Sequence, residues 1–445
     1  MAKTYDTYKD SGIAWIGNIP SEWDCCKLLY LLRKPVSDGP HETPILQDSG
    51  IPFISVDSLN ETEDINFDNV KKFISEDLYQ EYSKKTILEE NDILFSKAAS
   101  IGKTAIVKKE KFMVWSPLAI IKCKESVSYY RFTYHLLSCQ KLIEDVILHG
   151  SYNTQINIGM RELEKVNVPF PPLTEQQAIA TYLDEKCGEI DSLISLQEEM
   201  ISELQAYKQS VITEAVTKGL DSNVPMKDSG IEWIGMIPEL WTLSRAGDIA
   251  NYKKGPFGSA ITKSVFVEKN NKTIKVYEQQ NAIKKDWKLG YYYITNDYYT
   301  NNLTAFEVHA GDIIVSCAGT IGEMYVMPPN IEKGVINQAL MRIRLNESLG
   351  INKEYFMYLF GVLLKVESSK SSNGSAIKNI PPFDILKKIR FGLPPLSEQQ
   401  AIASFLDEKT SQIDSLIALK QEKITELKDY KKSIIYEYVT GKKKV

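Results

Sequence analysis

Four short segments carry side chains that could do chemistry, and each stops short of a working site. Lys97-Ala98-Ala99-Ser100-Ile101-Gly102-Lys103-Thr104 ends as a P-loop ends, with Gly-Lys-Thr able to cradle phosphates. Lys97 stands where the first glycine of such a loop is needed, and the later counterpart Cys317-Ala318-Gly319-Thr320-Ile321-Gly322-Glu323 has no lysine, so nucleotide hydrolysis is not expected. Asn379-Ile380-Pro381-Pro382-Phe383 approaches the Asn-Pro-Pro-Phe loop that holds a flipped adenine for methylation. Ile380 intrudes there, and no Gly-x-Gly strand end accompanies it. Asp184-Glu185-Lys186 and Asp407-Glu408-Lys409 carry nuclease-like groups but fall in helical sequence without a partner acid, and read as surface charge.

The six cysteines (Cys25, Cys26, Cys123, Cys139, Cys187 and Cys317) include no Cys-x-x-Cys pair, and the four histidines (His41, His135, His149, His309) are scattered. Neither a metal set nor a Ser-His-Asp or Cys-His arrangement is indicated. The chain is expected to hold no catalytic residues, cofactor or metal of its own.

Binding chemistry is better supplied. Residues 250–289 hold nine lysines (Lys253, Lys254, Lys263, Lys269, Lys272, Lys275, Lys284, Lys285, Lys288) against three acids, a patch suited to phosphates. Gln279-Gln280-Asn281 and Asn337-Gln338 have amides that pair with base edges. Two polar loops, Gly150 to Asn157 and Ser371 to Asn379, have the composition of contact loops. The candidate DNA contacts are therefore Lys97, Ser100, Lys103, Ser151, Tyr152, Asn153, Thr154, Gln155, Lys253, Lys254, Gln279, Gln280, Asn281, Asn337, Gln338, Asn373, Ser375 and Lys378.

The elements that must position these groups repeat at a period near 220. Asp10-Ser11-Gly12-Ile13-Ala14-Trp15-Ile16-Gly17-Asn18-Ile19-Pro20-Ser21-Glu22-Trp23 returns at Asp228 to Trp241 with 10 of 14 positions identical. Pro171 to Thr217 aligns without a gap on Pro394 to Thr440, identical at 30 of 47. Between these anchors the halves diverge, with one echo: Asn91-Asp92-Ile93-Leu94-Phe95-Ser96 before Ile101-Gly102 answers Gly311-Asp312-Ile313-Ile314-Val315-Ser316 before Ile321-Gly322. A common backbone carrying two different surfaces follows. Short β-rich runs at 51–56, 92–96, 311–316 and 340–345 make each divergent unit mixed α/β.

The near-identical segments read as helix. Thr174 and Ser397 are hydroxyl caps followed by an acid and good helix formers. Beyond them Ile190, Ile194, Gln197, Ile201, Leu204, Lys208 and Val211 recur at alternating spacings of four and three, as do Ile413, Ile417, Lys420, Ile424, Leu427, Lys431 and Ile434. A lone stripe of this kind would fit a core helix packed on its own domain, but two copies presenting the same seam are natural partners for one another in a coiled coil, with the units they trail at opposite ends if the pair is antiparallel. The seam's roughly 28 residues make a rod of about 40 Å, near the roughly 34 Å turn of duplex DNA. The expected organisation is residues 1–168, a first globular unit with its leader; 169–222, a central helical repeat; 223–391, a second globular unit with its leader; and 392–445, a C-terminal helical repeat.

The composition is ordinary for a globular chain: 445 residues, 43% hydrophobic and 25% charged. The net charge of -5 argues against wholesale phosphate binding, though not against local basic surfaces. No stretch approaches the roughly 18 apolar residues of a membrane span, and the opening Met1 to Asp6 has no signal-peptide core, so a cytoplasmic location is expected.

The doubled leader and the doubled Pro-Pro-Leu-[Thr/Ser]-Glu-Gln-Gln-x-Ile-Ala-x-x-Leu-Asp helix closely resemble the specificity (S) subunit of type I restriction-modification systems, over the whole chain. The resemblance implies two target recognition domains, here about 24–168 and 242–391, each reading one half of a bipartite, asymmetric sequence in double-stranded DNA. It implies helices that set the gap and hold two modification (M) subunits. Those M subunits would bind S-adenosylmethionine and methylate adenine, while restriction (R) subunits would use ATP and Mg for translocation and cleavage. Two other readings are a tandem scaffold that assembles partners without reading DNA, and a stand-alone adenine methyltransferase or nuclease.

Overall fold

The computed structural model describes residues 3–60, 62–148, 151–152, 156–371, 380 and 382–445. They form two compact units, Met1–Met200 with Lys420–Val445 (unit 1) and Ile201–Leu419 (unit 2). Among the described residues no helix is long and apolar enough to cross a membrane.

Unit 1 is built on two small sheets. One runs in the order Ser37–Asp38, Leu118–Ile121, Ile93–Ser96, Thr104–Ile106, antiparallel throughout. In the other, Ile51–Ile54 pairs antiparallel with Phe73–Ile74 and parallel with Met113–Val114. The runs read as strands at 51–56 and 92–96 thus end earlier or start later by a residue or two. Leu94, Leu118, Ile120, Ile54 and Val114 are buried in one core.

Unit 2 repeats this wiring with other residues. Ala250–Lys254, Leu340–Leu345, Ile313–Ser316 and Met324–Val326 form the first sheet in that order. In the second, Thr273–Tyr277 pairs antiparallel with Tyr293–Thr295 and parallel with Gly334–Ile336, and Glu307–Val308 adds an edge. The match reaches individual hydrogen bonds. Ser96 Oγ donates to Ser100 O (2.6 Å) and accepts from Lys103 N (2.8 Å); Ser316 Oγ donates to Thr320 O (2.5 Å) and accepts from Glu323 N (3.0 Å). The faint echo in the sequence is therefore a strand and the turn leaving it.

The repeated segments build the scaffold. In each leader an aspartate and a serine close the turn: Asp10 accepts from Gly12 N (3.0 Å) and Ser11 Oγ from Ile13 N (3.1 Å), as Asp228 does from Gly230 N (2.9 Å) and Ser229 Oγ from Ile231 N (3.1 Å). The leader's last tryptophan is buried and donates to the glutamate in the first turn of the long helix, Trp23 to Glu175 (2.8 Å) and Trp241 to Glu398 (2.9 Å). In unit 1 the leader also receives the C-terminal residues: Lys444 N donates to Lys3 O (2.9 Å) and Lys442 Nζ to Ile16 O (2.7 Å).

The central helix, Leu173–Lys218, has 46 residues and the C-terminal helix, Leu396–Val439, has 44, each start and seam forming one uninterrupted helix; Thr174 and Ser397, expected as caps, are instead second residues within the helices, whose first bonds go to the Pro172 and Pro395 carbonyls. Within unit 1, Tyr182 packs on Tyr438 (4.4 Å between ring centres), Asp191 accepts from Lys431 (2.7 Å) and Gln197 from Lys420 (3.3 Å). Rising numbers meet falling ones, so the segments run antiparallel. Within unit 2, Lys208 donates to Asp414 (2.6 Å), the repeat equivalent of the Lys431–Asp191 pair. Burial follows the expected spacing: Ile190, Ile194, Ile413, Ile424, Leu427 and Ile434 are buried, and Ile201, Leu204, Val211 and Ile417 are partly so, between exposed flanks. Of the polar seam slots, Lys208 and Lys431 reach acids, while Lys420 and Gln197 meet each other.

Asp184, read from sequence as surface charge, is instead an anchor. It accepts from His135 Nε2 (2.7 Å) and from Arg131 on the helix Tyr130–Leu137. Burial alone would raise its carboxyl, yet these donors hold it below the usual carboxylate range. The fully buried His135 is pushed below the ordinary imidazole range by burial, which outweighs the Asp184 bond. Its Nδ1 is buried with no hydrogen-bond partner, so a second ring proton would be stranded. In unit 2, Asp407 meets the Tyr358 hydroxyl instead (2.7 Å).

A pH dependence follows. The unfolded imidazole takes up its proton near pH 6.5 while the folded one resists. The contribution is complete above that value and is lost as pH falls toward the lower folded value. Denaturant unfolding at pH 7.5 and at 5.5 should show unit 1 weakening by up to about 1.4 kcal/mol per unit across that window. His135→Gln should flatten the slope; an unchanged slope would contradict the assignment.

Candidate nucleic-acid interface

Loops leaving the strand ends of both sheets converge in each unit. In unit 1, Lys97 N donates to Pro117 O (2.9 Å), Ile158 N donates to Lys97 O (2.8 Å), and Ala98 bridges Asn157. These bonds bring the 97–103 turn, the 115–117 turn and the hairpin of Ser151–Tyr152 with Ile156–Asn157 to one place. Gly39 crosses so near that a Cβ there would lie 2.0 Å from the Val114 carbonyl oxygen. In unit 2, Cys317 N donates to Ala339 O (2.8 Å), Asn337 N to Tyr277 O (3.0 Å) and Gly255 N to Leu340 O (2.9 Å). A Cβ on Gly255 would lie 1.7 Å from the Asn337 carbonyl oxygen, and one on Gly319 would lie 3.8 Å from Gln279 Nε2. Lys254, Gln279, Asn337 and Gln338, far apart in sequence, thus share one rim.

Several candidates have structural duties. Lys97 is buried and faces Asp38 (3.2 Å), so its charge is already matched. Lys103 Nζ donates to the Leu59 carbonyl (2.9 Å). Asn281 is fully buried; its amide donates to Asp286 O and Leu289 O (both 2.9 Å) while its oxygen accepts from Glu278 N (2.8 Å). These groups shape the turns rather than reach outward. Lys275, counted in the basic stretch, is buried with its ammonium on Lys288 O (3.1 Å), and burial lowers its pKa.

Others point outward. Ser100, Lys254 and Gln338 are exposed, and Lys253 lies over the Phe306 ring at 4.9 Å. Gln280 donates to Glu278 (2.9 Å), whereas Gln279 Oε1 is buried without a hydrogen-bond partner. Asn337 Oδ1 accepts from Ala339 N (3.0 Å) and forms its own turn. Asn153, Thr154, Gln155, Asn373, Ser375 and Lys378 lie outside the described residues, and Ser151 and Tyr152 are described by backbone alone. Sequence reasoning passed over His41 and Phe257, on the turns Gly39-Pro40-His41 and Gly255-Pro256-Phe257, although Gly-Pro before a ring occurs in both halves of the sequence.

The duplicated wiring meets its counterpart among known proteins. The type I restriction modification DNA specificity domain matches residues 40–206 and again 238–429, most of the chain. This chain belongs to that family. A protein from Methanocaldococcus jannaschii described as the type I restriction enzyme MjaX specificity subunit is 28% identical over 97% of this chain and 96% of its own length. The MjaVIII specificity subunit of the same organism is 26% identical over 82% and 81%. A solved structure from work on assembly and conformational transition of the type I R-M system superposes with a TM-score of 0.68, covering 95% of this chain and 98% of that one. At 15% identity it supports the fold. The specificity-domain family accounts for two mixed α/β domains in tandem, each followed by a long helix.

Proposed function

We propose that this chain is the DNA sequence-specificity subunit of a type I restriction-modification complex in the cytoplasm, and that each unit reads one half of a bipartite, asymmetric target through its strand-end loops. One observation carries the reading. The same scaffold is used twice, while equivalent positions differ in chemistry: a buried Lys97–Asp38 pair in one unit answers a buried Cys317 and an exposed Lys254 in the other, and on the rim Ser116 answers Gln338 and His41 answers Phe257. A shared frame with unlike groups is what two unlike half-sites require.

The chain itself carries no reaction chemistry in this reading. Two modification subunits bring S-adenosylmethionine, and restriction subunits bring ATP and Mg. Exposed apolar side chains on the long helices support a partner taken twice: Leu193, Leu196 and Tyr207 recur as Leu416, Leu419 and Tyr430, all exposed. A surface repeated this faithfully suits two copies of one protein.

Exchanging residues 24–168 for the corresponding domain of another specificity subunit should change one half of the motif in a genome-wide methyladenine map and leave the other intact. An unchanged map removes the reader assignment, and methyl transfer by the purified chain alone removes the non-catalytic one. Inserting one heptad into each helix should shift the preferred gap, or abolish activity if register fails, with both half-sequences retained. New half-sequences at the old gap would contradict a ruler.

A further inference from the structure

We propose that the Gly-Pro-aromatic turn at the rim of each unit is a DNA-contacting wedge, with His41 in unit 1 and Phe257 in unit 2 setting a ring against a base step of the half-site read there. The inference rests on the DNA-reading function and names residues within it.

The two turns are equivalent in the wiring. Asp38 pairs with Ala119 and Lys254 with Met341, the same rung of the two sheets, and the turn leaves the next residue. The glycine is dictated at both places, since any side chain would run into a carbonyl at 2.0 or 1.7 Å. Proline then fixes the following φ and removes a donor. The third residue is thereby aimed by backbone geometry rather than by packing. His41 has 71% of its side chain exposed, with Nε2 3.2 Å from Asp38. Phe257 is 90% exposed.

A lone exposed ring needs no explanation. Two rings on matching rigid turns, in units whose surrounding loops share little sequence, do need one. The neighbours name the ligand. On the same rim as Phe257 are the exposed Lys254, three residues earlier, for phosphate, and Gln338, whose backbone N would lie 3.0 Å from a Cβ on Gly255 and whose exposed amide suits base edges. An apolar ring between cations and amides suits a base step, where a side-chain wedge partly unstacks the pair and base-edge donors fix register. A purely apolar partner would leave those polar groups unmatched.

The test uses the full chain assembled with its modification and restriction partners. Phe257→Ala should weaken DNA binding by about 5- to 150-fold and erode preference in one half of the mapped methyladenine motif, while His41→Ala should erode the other half. Phe257→Trp keeps a ring and should retain binding. Thermal unfolding and partner co-purification should match the parent for all three. The proposal is overturned if Phe257→Ala binds and methylates as the parent does, if it affects both halves equally, or if it lowers stability and Trp does not restore function. The 24–168 exchange separates the two claims: a half-motif that changes on exchange but ignores both alanines refutes the wedge alone, whereas a motif indifferent to everything refutes DNA reading as well.

Discussion

Lys122→Met should destabilise unit 1 by about 3–5 kcal/mol, the cost of leaving a buried charge without its partner. Asp92 stands just before the buried strand Ile93–Ser96; its side chain is 2% exposed, and Lys122, at 6%, is its ion-pair partner. Arg33 is 3.5 Å away and partly exposed, and Glu89 N supplies one more donor at 2.8 Å. Methionine replaces the aliphatic stem but not the charge, so packing is largely kept. Burial already pushes the Asp92 carboxyl up, and the hydrogen bond from Lys122 opposes that rise. An acid whose folded pKa is raised favours folding below that value and loses the benefit as pH climbs through it. The deficit of Lys122→Met, measured by denaturant unfolding, should therefore narrow in acid. A deficit equal at pH 5 and pH 7.5 would mean lost packing instead.

The second large effect is expected at the leader tryptophans. Trp23 and Trp241 are fully buried, and truncation of such a ring to alanine costs about 3–5 kcal/mol. Trp23→Ala should act on unit 1 and Trp241→Ala on unit 2, as hydrogen exchange resolved along the sequence can show. The tryptophan–glutamate bond is the smaller part. Glu175→Gln retains an acceptor and should lose only about 1 kcal/mol. Equal losses from Trp23→Ala and Glu175→Gln would place the energy in the bond rather than in the burial.

What the sequence revealed tracks what was copied. The leaders and long helices were legible because 30 of 47 residues recur in the second match, and recurrence in register exposes a seam that a single helix would hide. The sheets were legible only in part: Ile313–Ser316 and Leu340–Leu345 announced themselves as β-rich runs, but their order depends on crossings that leave no local mark. The rim was read least well. Counting lysines cannot tell Lys254, which is exposed, from Lys275, whose ammonium is spent on carbonyls. Counting amides cannot tell Gln338 from Asn281, which is consumed inside its own turn. Asp184 was taken for solvated charge because its partners Arg131 and His135 lie about fifty residues earlier. The Gly-Pro turns hid for a related reason: only the clash with a backbone carbonyl distant in sequence, Val114 or Asn337, makes their glycine obligatory.

The bridge between Lys3 and Lys444 bears on the order in which the chain can be written. The central helix hands its end to the second leader through peptide bonds across Gly219 to Asp228; the C-terminal helix hands its end to the first leader by hydrogen bonds alone. Splicing Lys444 to Lys3 through a short linker and reopening the backbone between Leu220 and Asn223 would give a circular permutant with every contact described for the two units in place.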